Sequence, residues 1–550
     1  MNRFQQNCVM ELSFSSKERY ADPFNEVEVC AVFADPDGEE KVVPAFWAGG
    51  NLWRVRYTSN KLGEHSFRTV CSDESNMALH GQEGKLEVIP YEGANPLLQH
   101  GPLKVCKDRR HLAHIDGTPF FWLGDTWWMG LTKRLHWPEG FKTLTEDRVK
   151  KGFTLIQIVA GLYPDMPPFD LRGANEAGFP WEENYARINP AYFDLADRRF
   201  DWLVHNGLVP CIVGSWGYFI EFAGEEVMMK HWRNLVARYG AYPTVWCVAG
   251  EATMPYYLSP VRGHKERLEE HETKARASWT RVAGYLRSMD PYNHPITIHP
   301  TDCAHNMVDD PSVIDIDMLQ TGHSDLQSLP NTVDKVVSSI DRSPKMPVLV
   351  GEVCYEGILG ASWENVQRLM FWTSIMNGAA GHTYGANGIW QADTETEPFG
   401  LSPHGQSWGD TPWDKAYQLP GSGQLGLGKR LLERYPWWRF EPHPEWVQPH
   451  WSKQDYFMPY AAGIPREVRI IYVPAPAQSL VKVKAIEKAI TYRAFYFDPR
   501  NGKEYGGANS SRPYAKGHNM ETVIPDEKGE WRPPRPPVIQ DWVLVMVRID

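Results

Sequence analysis

Two apolar runs of strand length end in the same dipeptide. One is Pro243-Thr-Val-Trp-Cys-Val-Ala-Gly250-Glu251 and the other, later in the chain, is Met346-Pro-Val-Leu-Val-Gly351-Glu352. A continuous apolar run bounded by turn residues is buried on both faces, as in a parallel sheet, so a glutamate that closes it is carried to the rim of that sheet. Two such rims make a carboxylate pair. Glycoside hydrolysis needs this: one carboxyl protonates the leaving oxygen, and the other attacks the anomeric carbon or activates water. Either glutamate alone could simply pair with an arginine and lock the sheet. Repetition at the same relative position favours chemistry, because function in β/α barrels concentrates at that rim. Other polar or aromatic strand ends converge there: Asp125, Gln157, Trp216, His299, Gln320, His323 and Tyr384.

The elements that must position these residues follow a strand-then-helix rhythm. Candidate strands are Phe120-Phe-Trp-Leu-Gly124, Phe153 to Val159, Leu208 to Val213, Val245 to Val248, Pro295 to Ile298, Ile314 to Leu319, Val348 to Val350 and Ala380 to Tyr384. Helical patterns lie between several of them: Phe193, Ala196, Phe200 and Leu203 share one face, and Trp363 to Asn377 forms another such stretch. Eight strands with intervening helices predict an α/β fold, a (β/α)8 TIM barrel, in which Glu251 closes strand four and Glu352 closes strand seven. Residues from about 10 to 90 instead alternate apolar and polar between turn clusters such as Asp35-Pro-Asp-Gly38, which predicts a small antiparallel β-sandwich. An irregular stretch containing Trp408 and Trp413 follows Trp390, then a helix near Leu425 to Tyr435. Strand-like runs return from about residue 445 and predict a second β-sandwich, with Pro533-Pro-Arg-Pro-Pro537 as a loop. The expected domains are 1–95, 96–440 and 441–550.

A chain of 550 residues exceeds a single hydrophobic core, and 42% hydrophobic with 23% charged residues is a globular composition. A net charge of -11 disfavours nucleic acid and anionic membrane as partners, since both require a basic face. A homo-oligomer is left open. The 23 Trp, 24 Tyr and 22 Phe supply rigid faces that suit sugar rings as well as cores. The amino terminus lacks the apolar segment of a secretory signal, which predicts a cytoplasmic protein.

The eight cysteines stand singly and read as reduced thiols. His294, His299, His305 and His323 with Asp302 raise the question of a metal. A barrel metallohydrolase would carry His-x-His at the end of strand one, where this chain has Gly124-Asp125-Thr126, so no metal and no other cofactor is expected. Gly421-Ser-Gly423-Gln-Leu-Gly426 matches a dinucleotide fingerprint without the βαβ context, and reads as a loop with helix-cap glycines. Ser215 lacks the Gly-x-Ser-x-Gly elbow of a serine hydrolase.

Three blocks carry a family resemblance: Phe120-Phe-Trp-Leu-Gly-Asp125-Thr-Trp-Trp128, Gly351-Glu352-Val-Cys-Tyr355-Glu356-Gly357 and Gly381-His382-Thr-Tyr384-Gly385-Ala-Asn-Gly-Ile-Trp390. They resemble signature blocks of apiosidase-like glycoside hydrolases, and the flanking sandwiches resemble the amino-terminal and collagen-binding-like carboxyl-terminal domains common in that family. The resemblance implies the clan of retaining (β/α)8 glycosidases, with Glu251 as acid/base and Glu352 as nucleophile. Asp125, Trp216, His299, His323, Tyr355 and Tyr384 are then the expected substrate contacts. Two departures stand out. Gly250 occupies a position where many clan members have an asparagine that binds the sugar 2-hydroxyl. Glu251 stands where apiosidases have an aspartate, and its greater length means that apiose does not follow as the substrate.

The long loops Tyr163 to Tyr185 and Gln391 to Gln418, after strands two and eight, are placed to wall off one end of the rim, which predicts exo-type release of a terminal sugar from short oligosaccharides or small glycosides. A non-catalytic carbohydrate-binding protein on the same scaffold and a transglycosidase are the alternatives.

Overall fold

The computed structural model describes residues 2–477, 480–506 and 522–549. Its centre is a parallel barrel of eight strands: β1 (Trp122–Thr126), β2 (Leu155–Val159), β3 (Val209–Val213), β4 (Val245–Cys247), β5 (Ile296–Thr297), β6 (Asp317–Gln320), β7 (Val348–Glu352) and β8 (Gly381–Tyr384). They run in the order β5-β4-β3-β2-β1-β8-β7-β6. Nearly every strand residue is buried, because side chains on one face fill the barrel and those on the other pack under the helices. Between β5 and β6 the ladder is replaced by three bonds: Asp315 N donates to Ile296 O (2.7 Å), Ile296 N to Asp315 Oδ2 (2.9 Å) and Thr297 Oγ1 to Ile316 O (3.0 Å).

Among the described residues seven longer helices connect or follow the strands, α1 (Glu139–Lys151), α2 (Pro190–His205), α3 (Phe219–Tyr239), α4 (Lys265–Met289), α5 (Leu329–Ile340), α6 (Glu364–Met376) and α7 (Pro420–Leu432), with a single short helical turn at Trp413–Ala416 before the last. The connection from β5 to β6 departs from the expected repeat, having only 3-10 turns at Ala304–Met307 and Pro311–Val313. The glycine cluster at 421–426 also departs from expectation: it lies inside α7 and not in a loop. Pro420 starts the helix, where a missing N–H costs nothing. The glycines then permit close approach, since a Cβ on Gly426 would fall 1.8 Å from Lys151 O and one on Gly428 2.7 Å from the Phe371 ring.

The amino-terminal part is a sandwich of a five-stranded and a three-stranded sheet around Phe33, Trp53, Val55 and Tyr57. It is not wholly antiparallel, because the first strand, Asn2–Gln5, pairs parallel with Glu83–Ile89. The carboxyl-terminal part is uneven: a six-stranded antiparallel sheet opposes a two-stranded ribbon formed by Val447–Gln448 and Lys482–Val483. It is fixed to α6 by a two-pronged pair in which Arg368 donates to both Asp541 oxygens at 2.8 Å. No helix among the described residues is long and apolar enough to cross a membrane.

Candidate active site

Glu251 lies beyond the last ladder residue of β4, where a bridge between Trp216 and Gly250 prolongs the sheet. Gly250 N donates to Ser215 O (2.8 Å) and Gly217 N to Gly250 O (2.6 Å). A side chain at 250 has no room, since a Cβ there would lie 2.2 Å from the Trp216 ring. Glu251 itself adopts a left-handed backbone, φ 43°, a conformation that non-glycine residues keep only where the surroundings enforce it. Glu352 is the final residue of β7, and Gly351 before it is likewise dictated by packing, a Cβ there falling 2.4 Å from Met318.

The two carboxylates meet around one amide. Gln320 at the end of β6 directs Nε2 to Glu251 Oε1 (3.1 Å) and to Glu352 Oε1 (3.3 Å).

Their surroundings differ. Glu352 Oε2 accepts the Tyr355 hydroxyl at 2.5 Å, Oε1 lies 2.7 Å from His323 Nε2, and His299 Nε2 is 3.2 Å from Oε2. An ionised carboxylate only accepts, so His323 carries its proton on Nε2. Burial pushes the Glu352 carboxyl upward, but the bonds and charges of His299 and His323 outweigh it and hold the group well below the usual carboxylate range. Glu251 Oε2 accepts only the neutral Trp216 indole, at 3.2 Å. Burial, reinforced by the charge of Glu352, moves Glu251 upward. One carboxyl is thus poised ionised and its neighbour poised protonated, the division of labour that acid/base chemistry requires.

Both glutamates open on a cavity of about 250 Å³, walled by Trp128, Trp216, Trp390 and Trp408 together with His323 and Tyr355. Of the expected substrate contacts, Trp216, His323 and Tyr355 line it. Three do not. His299 is fully buried, packed against the rings of both Trp128 and Trp216, and acts on the carboxylate instead of lining the cavity. Asp125 is fully buried on the helix side of β1, where it accepts Arg148 Nε (2.6 Å) and Trp127 Nε1 (2.7 Å). Tyr384 is also enclosed, donating at 2.5 Å to Glu356, which in turn accepts the Gly421 amide of α7. Gln157 ties β2 to β7 through Gly351 O (3.0 Å).

Sequence reasoning missed Trp128, Asp165, Tyr257, Arg262 and His404 as wall residues. Trp128 stands inside a recognised block. The others sit on connections that carry no period. Among the described residues no group of three His, Cys, Asp or Glu side chains is arranged to hold a metal ion.

Residues 106–439 match the family described as apiosidase-like, catalytic domain, and residues 3–72 match a domain of unknown function, DUF5060. A crystal structure of a protein from Bacteroides vulgatus ATCC 8482 aligns over 100% of both chains with a TM-score of 0.68 and 17% identity. A glycoside hydrolase family 5 structure from the same organism covers 83% of this chain and 94% of its own, with a TM-score of 0.65 and 20% identity. A further glycoside hydrolase gives 0.64 at 21% identity, over 83% of this chain and 98% of its own. At such identities these likenesses establish the fold. No curated protein matches the chain. The family model spans more than half of the sequence and contains both glutamates, so the chain belongs to the apiosidase-like family and is a glycosidase.

Proposed function

We propose a retaining, exo-acting glycosidase in which Glu352 is the nucleophile and Glu251 the acid/base. The observation that carries this reading is the carboxylate pair joined by Gln320: one oxygen of each glutamate lies within 3.3 Å of a single amide nitrogen, a close pairing that suits retaining enzymes, whose carboxyls lie about 5–5.5 Å apart, better than inverting enzymes, whose carboxyls stand about 6.5–9.5 Å apart to admit a water. In the first step a Glu352 oxygen bonds to the anomeric carbon while the Glu251 proton passes to the departing glycosidic oxygen. In the second step Glu251, now ionised, takes a proton from water as that water displaces the Glu352 ester. The opposed environments of the two groups support these starting protonation states.

Exo action is supported by the way the long loops are tied together over one end of the rim. Ser402 Oγ in the loop after β8 donates to Asp165 in the loop after β2 (2.8 Å), and Arg172 donates to Phe399 O (3.2 Å) and Leu401 O (3.1 Å). A cavity of about 250 Å³ falls below the roughly 300–1,000 Å³ of ordinary small-molecule sites, enough for a terminal sugar but not for a threaded chain. Chromatography of a digest tests this. Release of monosaccharide from short oligosaccharides is expected, and an early ladder of mid-length fragments from a polymer would overturn it.

A further inference from the structure

Asp165 is a buried carboxylate on the cavity wall that the two-step mechanism does not use. It lies on the loop after β2, in a left-handed backbone of φ 56°. That conformation is costly in a non-glycine residue and persists only where neighbours hold it. Here the Tyr218 hydroxyl grips the chain on either side, its single O–H shared between Tyr163 O (2.8 Å) and Met166 O (2.9 Å). The side chain is 5% exposed, and its Oδ1 accepts Ser402 Oγ, which itself accepts Trp408 Nε1 at 3.1 Å. The arginines of these loops are engaged elsewhere: Arg172 pairs with Asp170 (2.8 Å), and Arg134 lies 3.6 Å from Asp393. Asp165 is therefore a buried acceptor locked in place, its pKa pushed upward by burial against the bonds from Ser402, Tyr257 and Trp408 and the charge of His404, and it lines the cavity it shares with both catalytic glutamates.

A buried carboxyl group needs hydrogen-bond partners, and the side of Asp165 that lines the cavity can take further ones from a ligand. Its two oxygens suit two adjacent hydroxyls of one sugar ring, which present paired donors. The ionised Glu352 together with the Asp165 carboxyl in so small a cavity also works against an anionic sugar, because burial strengthens like-charge repulsion. We propose that Asp165 is the specificity-determining residue for the terminal sugar, binding a free vicinal diol, so that the substrates are neutral glycosides whose terminal residue carries two adjacent unsubstituted hydroxyls. This inference rests on the exo-glycosidase reading.

The test couples enzyme and substrate changes. The full-length wild type and Asp165→Asn are assayed on a panel of 4-nitrophenyl pyranosides and furanosides, including uronides, and on the monodeoxy counterparts of the glycoside cleaved fastest. For wild type, removal of either of two adjacent hydroxyls is expected to lower kcat/KM roughly 10- to 150-fold, the range for hydrogen bonds to a charged group. Asp165→Asn should lose a similar factor on the parent glycoside and little more on those two deoxy substrates. Equal losses by the variant on parent and deoxy substrates would make Asp165 merely structural and overturn the proposal, as would a wild-type preference for uronides. Thermal melting and unchanged cleavage stereochemistry establish that the variant keeps its fold and mechanism. Hydrolysis of none of the panel by wild type would overturn the exo-glycosidase reading and this proposal with it; loss of the coupling alone overturns only the role of Asp165.

Discussion

His323→Ala should move the acidic limb of the kcat/KM profile to higher pH. The Glu352 carboxylate is buried, which by itself favours its protonated form, and it is held ionised by the contacts from His323 at 2.7 Å and His299 at 3.2 Å. A hydrogen bond to a charged group is worth about 1.5–3 kcal/mol, and one pH unit of pKa corresponds to about 1.4 kcal/mol, so loss of the shorter contact should raise the Glu352 pKa by about 1 to 2. The sign follows from the nucleophile role proposed for Glu352 and the acid/base role proposed for Glu251. Wild type keeps Glu352 ionised below the usual carboxylate range, so its activity persists into acid; the variant protonates Glu352 sooner and loses rate as pH falls through the new value. The alkaline limb reports loss of the Glu251 proton and should move less. Replacement by Gln, which can donate without carrying charge, should shift the acidic limb by a smaller amount than Ala. Profiles of kcat/KM from pH 2 to 9 on one nitrophenyl glycoside follow the variant's acidic limb and the alkaline limb of both proteins. An acidic limb that stays in place in a folded His323→Ala protein would refute the account of how Glu352 is kept ionised.

Glu352→Gln, an isosteric change that cannot form the glycosyl ester, should lower kcat by roughly a thousandfold or more with an unchanged melting temperature; near-wild-type turnover would remove Glu352 from the nucleophile's role. Glu251→Ala should retain activity on substrates with good leaving groups and gain rate with azide, which opens the ester without general-base help, and an azide-insensitive variant would point to a different acid/base. Gly250→Ala should force the Trp216 ring aside, because its Cβ would lie 2.2 Å from a ring carbon. Overpacking of this kind costs about 1–3 kcal/mol and should appear as a lower melting temperature together with reduced kcat/KM; wild-type values for both would mean that the ring yields freely.

The barrel was legible because its strands are apolar on both faces, and the glutamate pair because each member closes such a run. The faces of the strand ends were not assigned. Successive residues of a barrel strand point alternately inward and toward the helices. In β1 the inward set includes Trp122, whose Nε1 bonds Thr383 Oγ1 of β8 (2.9 Å), and the outward set includes Asp125, which meets Arg148 of α1. Tyr384 is the ladder partner of Asp125 and shares its outward direction. The rim placed both residues near the site, but alternation turned their side chains away from it, and small Gly124 beside them already marked the crowded inner face. Nothing comparable marks Asp165, Tyr257 or His404, which reach the cavity from connections where neither a period of 2 nor of 3.6 applies. Gly250 is the instructive intermediate. As a letter it is a missing asparagine; in three dimensions it is the clearance for Trp216, whose indole donates to Glu251 and forms cavity wall. The position before Glu251 and the aromatic on the preceding strand end therefore compete for one space, so a substitution that introduces Asn at 250 must also shrink Trp216 before the asparagine can fit.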